Sequence, residues 1–525
     1  MQSQLKITIL PSGKEIAAQP GENLYHALAA QAVPLEADCT GRGLCRRCLV
    51  KVERGRLSPP GEAETAALGD RLLSEGWALA CLRQMIEDVA LRLPEETGAF
   101  VSYGEAKHQQ GALGLAVDLG TTTVAAALAD LASGRILAKA AKENSQRAFG
   151  ADVVSRLSFA AENPQGGALL QKAVIEDVEK LACRLCSACG AQPEEIKKVV
   201  VVGNSAMSGL FWGAGCSGLA RAPFRAPFLN AIEQSGREPG FTRLADAQVA
   251  SPPNIGGFAG SDAWAAALSA GFLNKEKSAA PRILLDAGTN GEIVLSAGGG
   301  LLAASAAAGP AFEGVHIKHG MRAACGAVDK VWPDGDSLRL RVIGGGIPLG
   351  LCGSGLLSLA AALLRAGILR EDGRFAPASA STGKLSERLR QGPRGREFVL
   401  LSPGEEGAER EIALTQEDVR QLQLAKGALA AAAGLLLEKA GVRPDEVERV
   451  FLAGAFGAHL EEEDILTVGL LSRQWRGKLS SLGNAALKGA YLYLLGERGE
   501  GAAIEHVDLN ACPGFQERFL ASLGF

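Results

Sequence analysis

The sequence predicts an α/β protein preceded by a small α+β domain of β-grasp type, with the larger α/β part built as two lobes. Three observations carry that prediction. Short alternating strands and one helix fill roughly the first 95 residues. From Leu113 onward, apolar strands bounded by glycine turns alternate with alanine-rich helices, the pattern of a layered α/β domain. Finally, Leu113 to Leu128 and Ile283 to Ser296 repeat one motif about 170 residues apart, which suggests two duplicated lobes facing a shared ligand.

Composition narrows the class. The 525 residues are 47% hydrophobic and 21% charged, which suits a soluble globular chain of about three domains. A net charge of -4 and a pI near 6.0 argue against nucleic-acid binding, which needs a basic face. No segment stays apolar for the roughly 18 residues of a membrane span. The start, Met1-Gln-Ser-Gln-Leu-Lys-Ile, lacks a signal-peptide layout, so a cytoplasmic location is expected. Eleven cysteines scattered through so long a chain read as ligands and core thiols rather than a disulfide framework.

The N-terminal elements follow in order. Residues 6 to 10, then Pro-Ser-Gly and Lys-Glu-Ile, predict a hairpin, and Asn23 to Gln31 a helix packed across it. Cys48 to Val52 and Val89 to Leu93 predict strands, giving a domain over 1–95. Between helix and strand lies Ala37-Asp-Cys-Thr-Gly-Arg-Gly-Leu-Cys-Arg-Arg-Cys48, in which Cys39, Cys45 and Cys48 crowd a glycine-rich loop; Cys81 follows downstream. Gly41 and Gly43 permit the dihedrals that let three thiolates converge, and let amides approach inorganic sulfur. Five residues separate Cys39 from Cys45, one more than in the plant-type run. The segment resembles the adrenodoxin-like branch of [2Fe-2S] ferredoxins, which makes Cys39, Cys45, Cys48 and Cys81 the expected cluster ligands. Zinc is the competing reading, but zinc sites usually add a second close cysteine pair or histidines, and Cys81 stands alone.

Residues 96–112 are polar and glycine-broken, and predict a linker. The first lobe is expected over 113–280 and the second over 281–525, with a surface insertion near 371–411 that carries no chemistry. In each lobe an aspartate ends an apolar strand and a Gly-Thr turn follows. Such a turn gathers amides and hydroxyls suited to phosphate oxygens, while the aspartate suits a hydrated Mg2+ ion. Asp118 and Asp286 are thus the metal- or water-positioning candidates. Gly120, Thr121, Thr122 and Thr123 form one expected phosphate clasp, and Gly288, Thr289 and Asn290 the other. Gly353, Ser354 and Gly355 open an apolar helix whose amides can face an anion, and Gly454, Ala455 and Phe456 lie in a glycine turn that closes a buried strand. These motifs, in this order, resemble those of the acetate and sugar kinase, Hsc70 and actin (ASKHA) superfamily over residues 113 to 500. That resemblance implies ATP with Mg2+ as ligand. The bland alternative is that the glycines serve only close strand–helix packing.

Other residues weigh less. Cys183, Cys186 and Cys189 copy a [4Fe-4S] spacing but fall on a predicted helix, Ala168 to Gly190, where they face different directions and are better read as buried thiols. Cys352 sits where the dehydratase-activator branch of the superfamily keeps a cluster cysteine, but with no matching distal cysteine it reads as packing. His316, His319 and His459 read as half-buried polar contacts rather than cobalt ligands. Glu313 and Arg322 are kept as cleft residues.

Electron transfer down a gradient needs no ATP, so the fusion is itself informative. A plant-type cluster works near about -400 mV; an acceptor about 200 mV lower costs on the order of 5 kcal/mol, which ATP turnover can cover. With Val202-Gly-Asn204, Gly309-Pro-Ala-Phe-Glu-Gly and Phe451-Leu-Ala-Gly-Ala-Phe-Gly added to the motifs above, the chain resembles the reductive activators of corrinoid proteins over nearly its whole length. That resemblance implies one-electron reduction of an inactive Co(II) corrinoid protein to Co(I), restoring methyl transfer, with an upstream electron donor and a homodimer. Three departures are noted: the short stretch from Gly98 to Gly111 leaves no room for the additional middle region some members carry, Ser205-Ala206 replaces an expected Thr-Thr, and Cys325 an expected proline. Competing readings are a small-molecule kinase with an appended redox sensor, which would yield a phosphorylated metabolite, and a non-catalytic electron carrier, which would ignore nucleotide.

Overall fold

The computed structural model describes all residues except 1–3, 11–13, 31–47, 62, 66–67, 69–72, 75, 93–100, 104–110, 151, 275–279, 289, 325, 378–383, 394, 455–459 and 500–502. The chain divides into two compact units, Met1–Gly98 with Val342–Leu349 and Leu401–Glu411, and the remainder.

In the first unit, β1 (Leu5–Leu10) and β2 (Lys14–Ala18) form the expected hairpin, and the helix Leu24–Ala30 follows. Strands β3 (Leu49–Arg54), β4 (Trp77–Leu79) and β5 (Val89–Arg92) complete a sheet of order β2-β1-β5-β3-β4. β5 runs parallel to β1 while its other neighbour, β3, is antiparallel, a β-grasp arrangement. Alternation sends Ile7, Ile9, Val50, Leu79 and Leu91 to one core beneath Leu24 and Leu28. A buried glutamate is tied in twice: Glu64 pairs with Arg83 and accepts a hydrogen bond from the Leu79 amide at 2.7 Å.

The second unit carries the duplication. Its first sheet comprises β6 (Val101–Tyr103), β7 (Leu113–Leu119), β8 (Thr123–Asp130), β9 (Ile136–Glu143), β10 (Ile196–Val202), β11 (Ile232–Ser235) and β12 (Gln248–Ser251), in the order β11-β12-β10-β7-β8-β9-β6. Its second comprises β13 (Arg282–Ala287), β14 (Gly291–Ala297) and β15 (Gly300–Ala306), joined further along the chain by Arg449–Ala453, Leu479–Gly483 and Ile504–His506. Each sheet centres on an antiparallel meander, β7-β8-β9 or β13-β14-β15, and a strand returning by a helical crossover lies parallel to the first meander strand. Asp118 pairs in register with Val202, and Asp286 with Ala453, so the two aspartates occupy equivalent places. Helices Ser261–Ser269 and Ala485–Leu494 pack into one core with residues of both sheets, among them Ala116, Val200, Leu284 and Ala453. They approach closely because Gly489 has no side chain: a Cβ there would stand 1.8 Å from the Ala265 carbonyl oxygen.

Two expectations need correction. Inside 96–112, read as linker, Val101–Tyr103 adds to the edge of the first sheet, antiparallel to β9. Within 371–411, read as a surface insertion, Leu389–Gly392 and Gly395–Leu401 pair as a hairpin and join Ile412–Thr415 in a small sheet, with Phe398 to Leu401 buried. Glycine, proline and charge at the flanks hid that apolar run. As expected, Cys183, Cys186 and Cys189 lie on one regular helix, Gly166–Cys189, closed by Gly190 in the left-handed region. Burial pushes the Cys186 thiol up to about 12, which suits a packed thiol rather than a ligating thiolate.

Candidate functional site

Two candidate centres emerge, one in each unit. In the first, Cys48 directly precedes β3 and Cys81 directly follows β4; the antiparallel register Leu49 to Leu79 brings both to one end of the sheet. Their sulfurs stand 3.1 Å apart, and the Cys81 amide faces the Cys48 sulfur at 3.5 Å. Two thiolates on one tetrahedral metal with bonds of about 2.3 Å stand about 3.8 Å apart, so this pair fits a single iron with a small adjustment. An amide directed at a ligating sulfur also stabilises its negative charge. Cys39 and Cys45, the other two expected ligands, lie outside the described residues.

The second centre is a cleft between the lobes, a cavity of about 430 Å³. Its walls gather most of the residues picked from sequence: Asp118, Gly120, Thr121, Thr122, Thr123, then Asp286, Gly288, Asn290, and Gly353, Ser354 and Gly454. Gly355 is not among them. It packs below the helix start, where a Cβ would meet the Val328 carbonyl at 2.0 Å, so its absent side chain serves packing. Thr289, Ala455, Phe456, Cys325 and His459 lie outside the described residues. His316 is exposed, His319 is half-buried, and neither lines the cavity. Cys352 does, as a buried residue just before the helix Gly353–Arg365, with Sγ 3.2 Å from the Ser354 hydroxyl.

Three side-chain contacts that bridge the lobes, and one within the first lobe, build this cleft. Thr122 donates to Glu313 Oε2 at 2.8 Å, and Arg322 pairs with Glu143 at 3.0 Å, so both residues kept from the sequence do face it. Asn484, which caps the helix Ala485–Leu494, donates to Asp118 Oδ2 at 2.8 Å. Asn204 caps the helix Ser205–Phe211 and donates to the Thr121 hydroxyl at 3.1 Å.

Sequence reasoning missed two acids. Asp262, in the first turn of Ser261–Ser269, and Glu292, on β14, line the same cavity as Asp118 and Asp286. Burial pushes the Asp118 carboxyl up to about 6, against the lowering bond from Asn484. Burial, then the charge of Asp118, raises Asp286 to about 7; burial, with Asp118 and Asp286, raises Asp262 to about 8. Glu292 is held well above the ordinary carboxylate range by burial first and then by Asp262 and Asp286. Four clustered carboxyls, all raised by burial and three of them also by a neighbour's charge, fit a divalent cation, whose charge would let all of them ionise. With Gly120, Thr121, Thr122, Gly288 and Asn290 beside them, they form a surface suited to a metal-bound polyphosphate.

Comparisons with known proteins bear on both centres. Residues 7–85 match the 2Fe-2S iron-sulfur cluster binding domain, 113–275 the RACo middle region, and 280–525 the C-terminal domain of RACo, the ASKHA domain. The first match favours the cluster over zinc. The second corrects an expectation: the middle region is present, as residues after the linker rather than within it. Corrinoid activation enzyme RamQ of Eubacterium limosum is 33% identical over 420 residues, 78% of this chain and 70% of that one. The [Co(II) methylated amine-specific corrinoid protein] reductase of Methanosarcina barkeri is 26% identical over 405 residues, 71% of this chain and 68% of the relative. A solved structure, the reductive activator for corrinoid, iron-sulfur protein, superposes with a TM-score of 0.70 at 27% identity, covering 99% of this chain and 98% of that one. Among the described residues no helix is long and apolar enough to cross a membrane. Both in the order of its domains and in the reach of these similarities, the chain belongs to the family of corrinoid reductive activators.

Proposed function

We propose that this protein returns an inactive Co(II) corrinoid protein to Co(I) by one-electron transfer, at the expense of ATP hydrolysis. When bound, a [2Fe-2S] cluster on Cys39, Cys45, Cys48 and Cys81 supplies the electron, refilled by an upstream donor. In the cleft, the carboxylates of Asp118 and Asp286 would hold a hydrated Mg2+ ion, with Asn484 fixing the orientation of Asp118. The two Gly-Thr turns receive phosphate oxygens through backbone amides and hydroxyls, one from each lobe. Glu292, once the bound cation has let it ionise, is placed to take the proton of the attacking water at a carboxylate oxygen.

The observation that best supports an energy-coupled reaction is the equivalence of Asp118 and Asp286 across two duplicated sheets. A ligand bridging both lobes binds the closed form more tightly than the open one, which makes nucleotide turnover a lever on lobe position. Thr122–Glu313 and Arg322–Glu143 are the contacts such a movement would make and break. The kinase reading lacks a comparable support, since the relatives with long coverage are named for corrinoid activation. The test is ATP hydrolysis by the purified protein with and without a Co(II) corrinoid protein. Stimulation is expected; a phosphorylated small molecule, or turnover indifferent to the corrinoid protein, overturns the proposal.

A further inference from the structure

A fully buried arginine lies directly under the first Gly-Thr turn. Arg156, on the helix Val153–Glu162, is 0% exposed, and its guanidinium makes no ion pair among the described residues, Asp152 acting on it only through its longer-range charge. Its bonds go instead to neutral acceptors: Nη2 donates to the Thr121 carbonyl at 2.6 Å, Nε to the Gly150 carbonyl at 3.0 Å, and Nη1 to Gln146 Oε1 at 3.3 Å. Burying a cation is costly, and burial, only partly offset by the charge of Asp152 one turn earlier, brings its pKa down to about 10, which still leaves it charged at neutral pH.

The neighbouring carbonyls of the turn are held from the same region. Asn144, also fully buried, donates its side-chain amide to the Gly120 carbonyl at 2.9 Å and its backbone amide to the Thr122 carbonyl at 3.0 Å. Gln146, buried beside it, accepts from Asn144 Nδ2 at 3.2 Å and passes its own amide to the Leu170 carbonyl at 2.9 Å. All three carbonyls of Gly120, Thr121 and Thr122 are thus anchored. In a planar trans peptide the N–H points opposite to the C=O, so anchoring these oxygens on one side turns the following amides to the other. Those residues line the cleft.

We propose that Arg156 and Asn144 are positioning residues for the nucleotide phosphates: together they fix the Gly120–Thr122 turn from behind, so that its donors face the phosphate oxygens, and Arg156 adds a buried positive charge beneath them. The inference deepens the nucleotide reading above and rests on it. Preorganised amides backed by a buried cation in a low-dielectric wall act on developing and existing phosphate charge alike, without reorganising when the ligand arrives. Neither residue touches the ligand; both act through the turn.

The test compares Mg-ATP and adenosine binding to the full-length protein by calorimetry, for wild type, Arg156→Lys, Arg156→Met and Asn144→Ala. Losing a charged group's hydrogen bonds costs on the order of tenfold or more in affinity. Mg-ATP affinity should therefore fall roughly tenfold in Arg156→Lys, which keeps the charge but loses the fork, and further in Arg156→Met, while adenosine affinity stays within about twofold. Should Arg156→Met fail to fold, Arg156→Lys and Asn144→Ala must show the same split. Unchanged Mg-ATP binding in the variants overturns the inference and leaves the nucleotide reading intact. Equal loss of adenosine and Mg-ATP overturns it too, since the residues would then support the lobe at large. A wild type that binds neither ligand removes the nucleotide reading and this inference with it.

Discussion

Replacing Asp286 by asparagine should make the metal-free protein more stable while destroying its ATP turnover. Asp286 sits on β13 within the carboxyl cluster, with Gly454 so close that a Cβ there would stand 2.6 Å from its Oδ1. Burial and then Asp118 raise its pKa from 3.8 to about 7. The folded state therefore holds this proton more tightly than the unfolded chain does. Its stabilising contribution is complete below 3.8 and lost as pH rises to about 7, beyond which the cost is constant. About three pKa units at about 1.4 kcal/mol each give an upper bound of about 4 kcal/mol at neutral pH and above. Water in the cleft and proton sharing with Asp118, Asp262 and Glu292 reduce this, so about 1–2 kcal/mol is expected. The assay is unfolding of wild type and Asp286→Asn in EDTA between pH 5 and 8, following the nucleotide-binding unit separately from cluster absorbance, because a chain of several domains does not unfold in one step. The advantage of the variant should grow with pH and vanish, or reverse, on adding Mg-ATP, which binds and stabilises only the wild type well. A variant less stable than wild type at pH 8 in EDTA, or an advantage independent of pH, refutes the reasoning.

Further outcomes follow from other contacts. Cys81→Ser should remove the visible chromophore and lower bound iron below two per chain, because Cys48 loses its partner on one iron; full iron occupancy would contradict the ligand assignment. Binding of Mg-nucleotide should release more protons at pH 6.5 than at pH 9, since Asp118, Asp286 and Asp262 sit near 6, 7 and 8 before the cation arrives; calorimetry in buffers of different ionisation enthalpy reads this directly. Thr122→Val removes the donor to Glu313 across the lobes and should cost about 1 kcal/mol of lobe closure, seen as lower ATPase stimulation with the protein still folded. Gly489→Val should destabilise by several kcal/mol, because its Cβ would collide with the Ala265 carbonyl between the two sheets.

Local patterning made a good part of this structure readable. The β1–β2 hairpin, the helix across it and both Asp-x-Gly-Thr hairpins announce themselves by alternation and turn residues within ten positions. The helix of Cys183, Cys186 and Cys189 was equally plain, since Gly190 marks its end. What stayed hidden depends on tertiary placement. Val101–Tyr103 becomes a strand only because β9 offers an edge. Asp262 reads like any acid in a first helical turn, and Asn484 like any N-cap, until the sheets bring them together, whereas Asn204 already stands out in the Val202-Gly-Asn204 motif. Glu292 was legible in principle, four residues after the Gly-Thr turn's own glycine and on the strand that turn opens, but lone acids on strands are common. Arg156 resembles a surface arginine of an amphipathic helix, and only the fold reveals it under the phosphate turn. Gly355 misled in the opposite direction, because a glycine needed for packing and one needed for a ligand look alike in sequence.

The most direct measurement is the cobalt spectrum of a Co(II) corrinoid protein mixed with this protein in its reduced state, recorded with Mg-ATP, without nucleotide, and with Asp118→Asn in place of wild type. The Co(I) absorption should appear with wild type and Mg-ATP and remain near background in the other two mixtures. Equal Co(I) formation without nucleotide, or undiminished formation by Asp118→Asn, would contradict the coupling of electron transfer to the cleft.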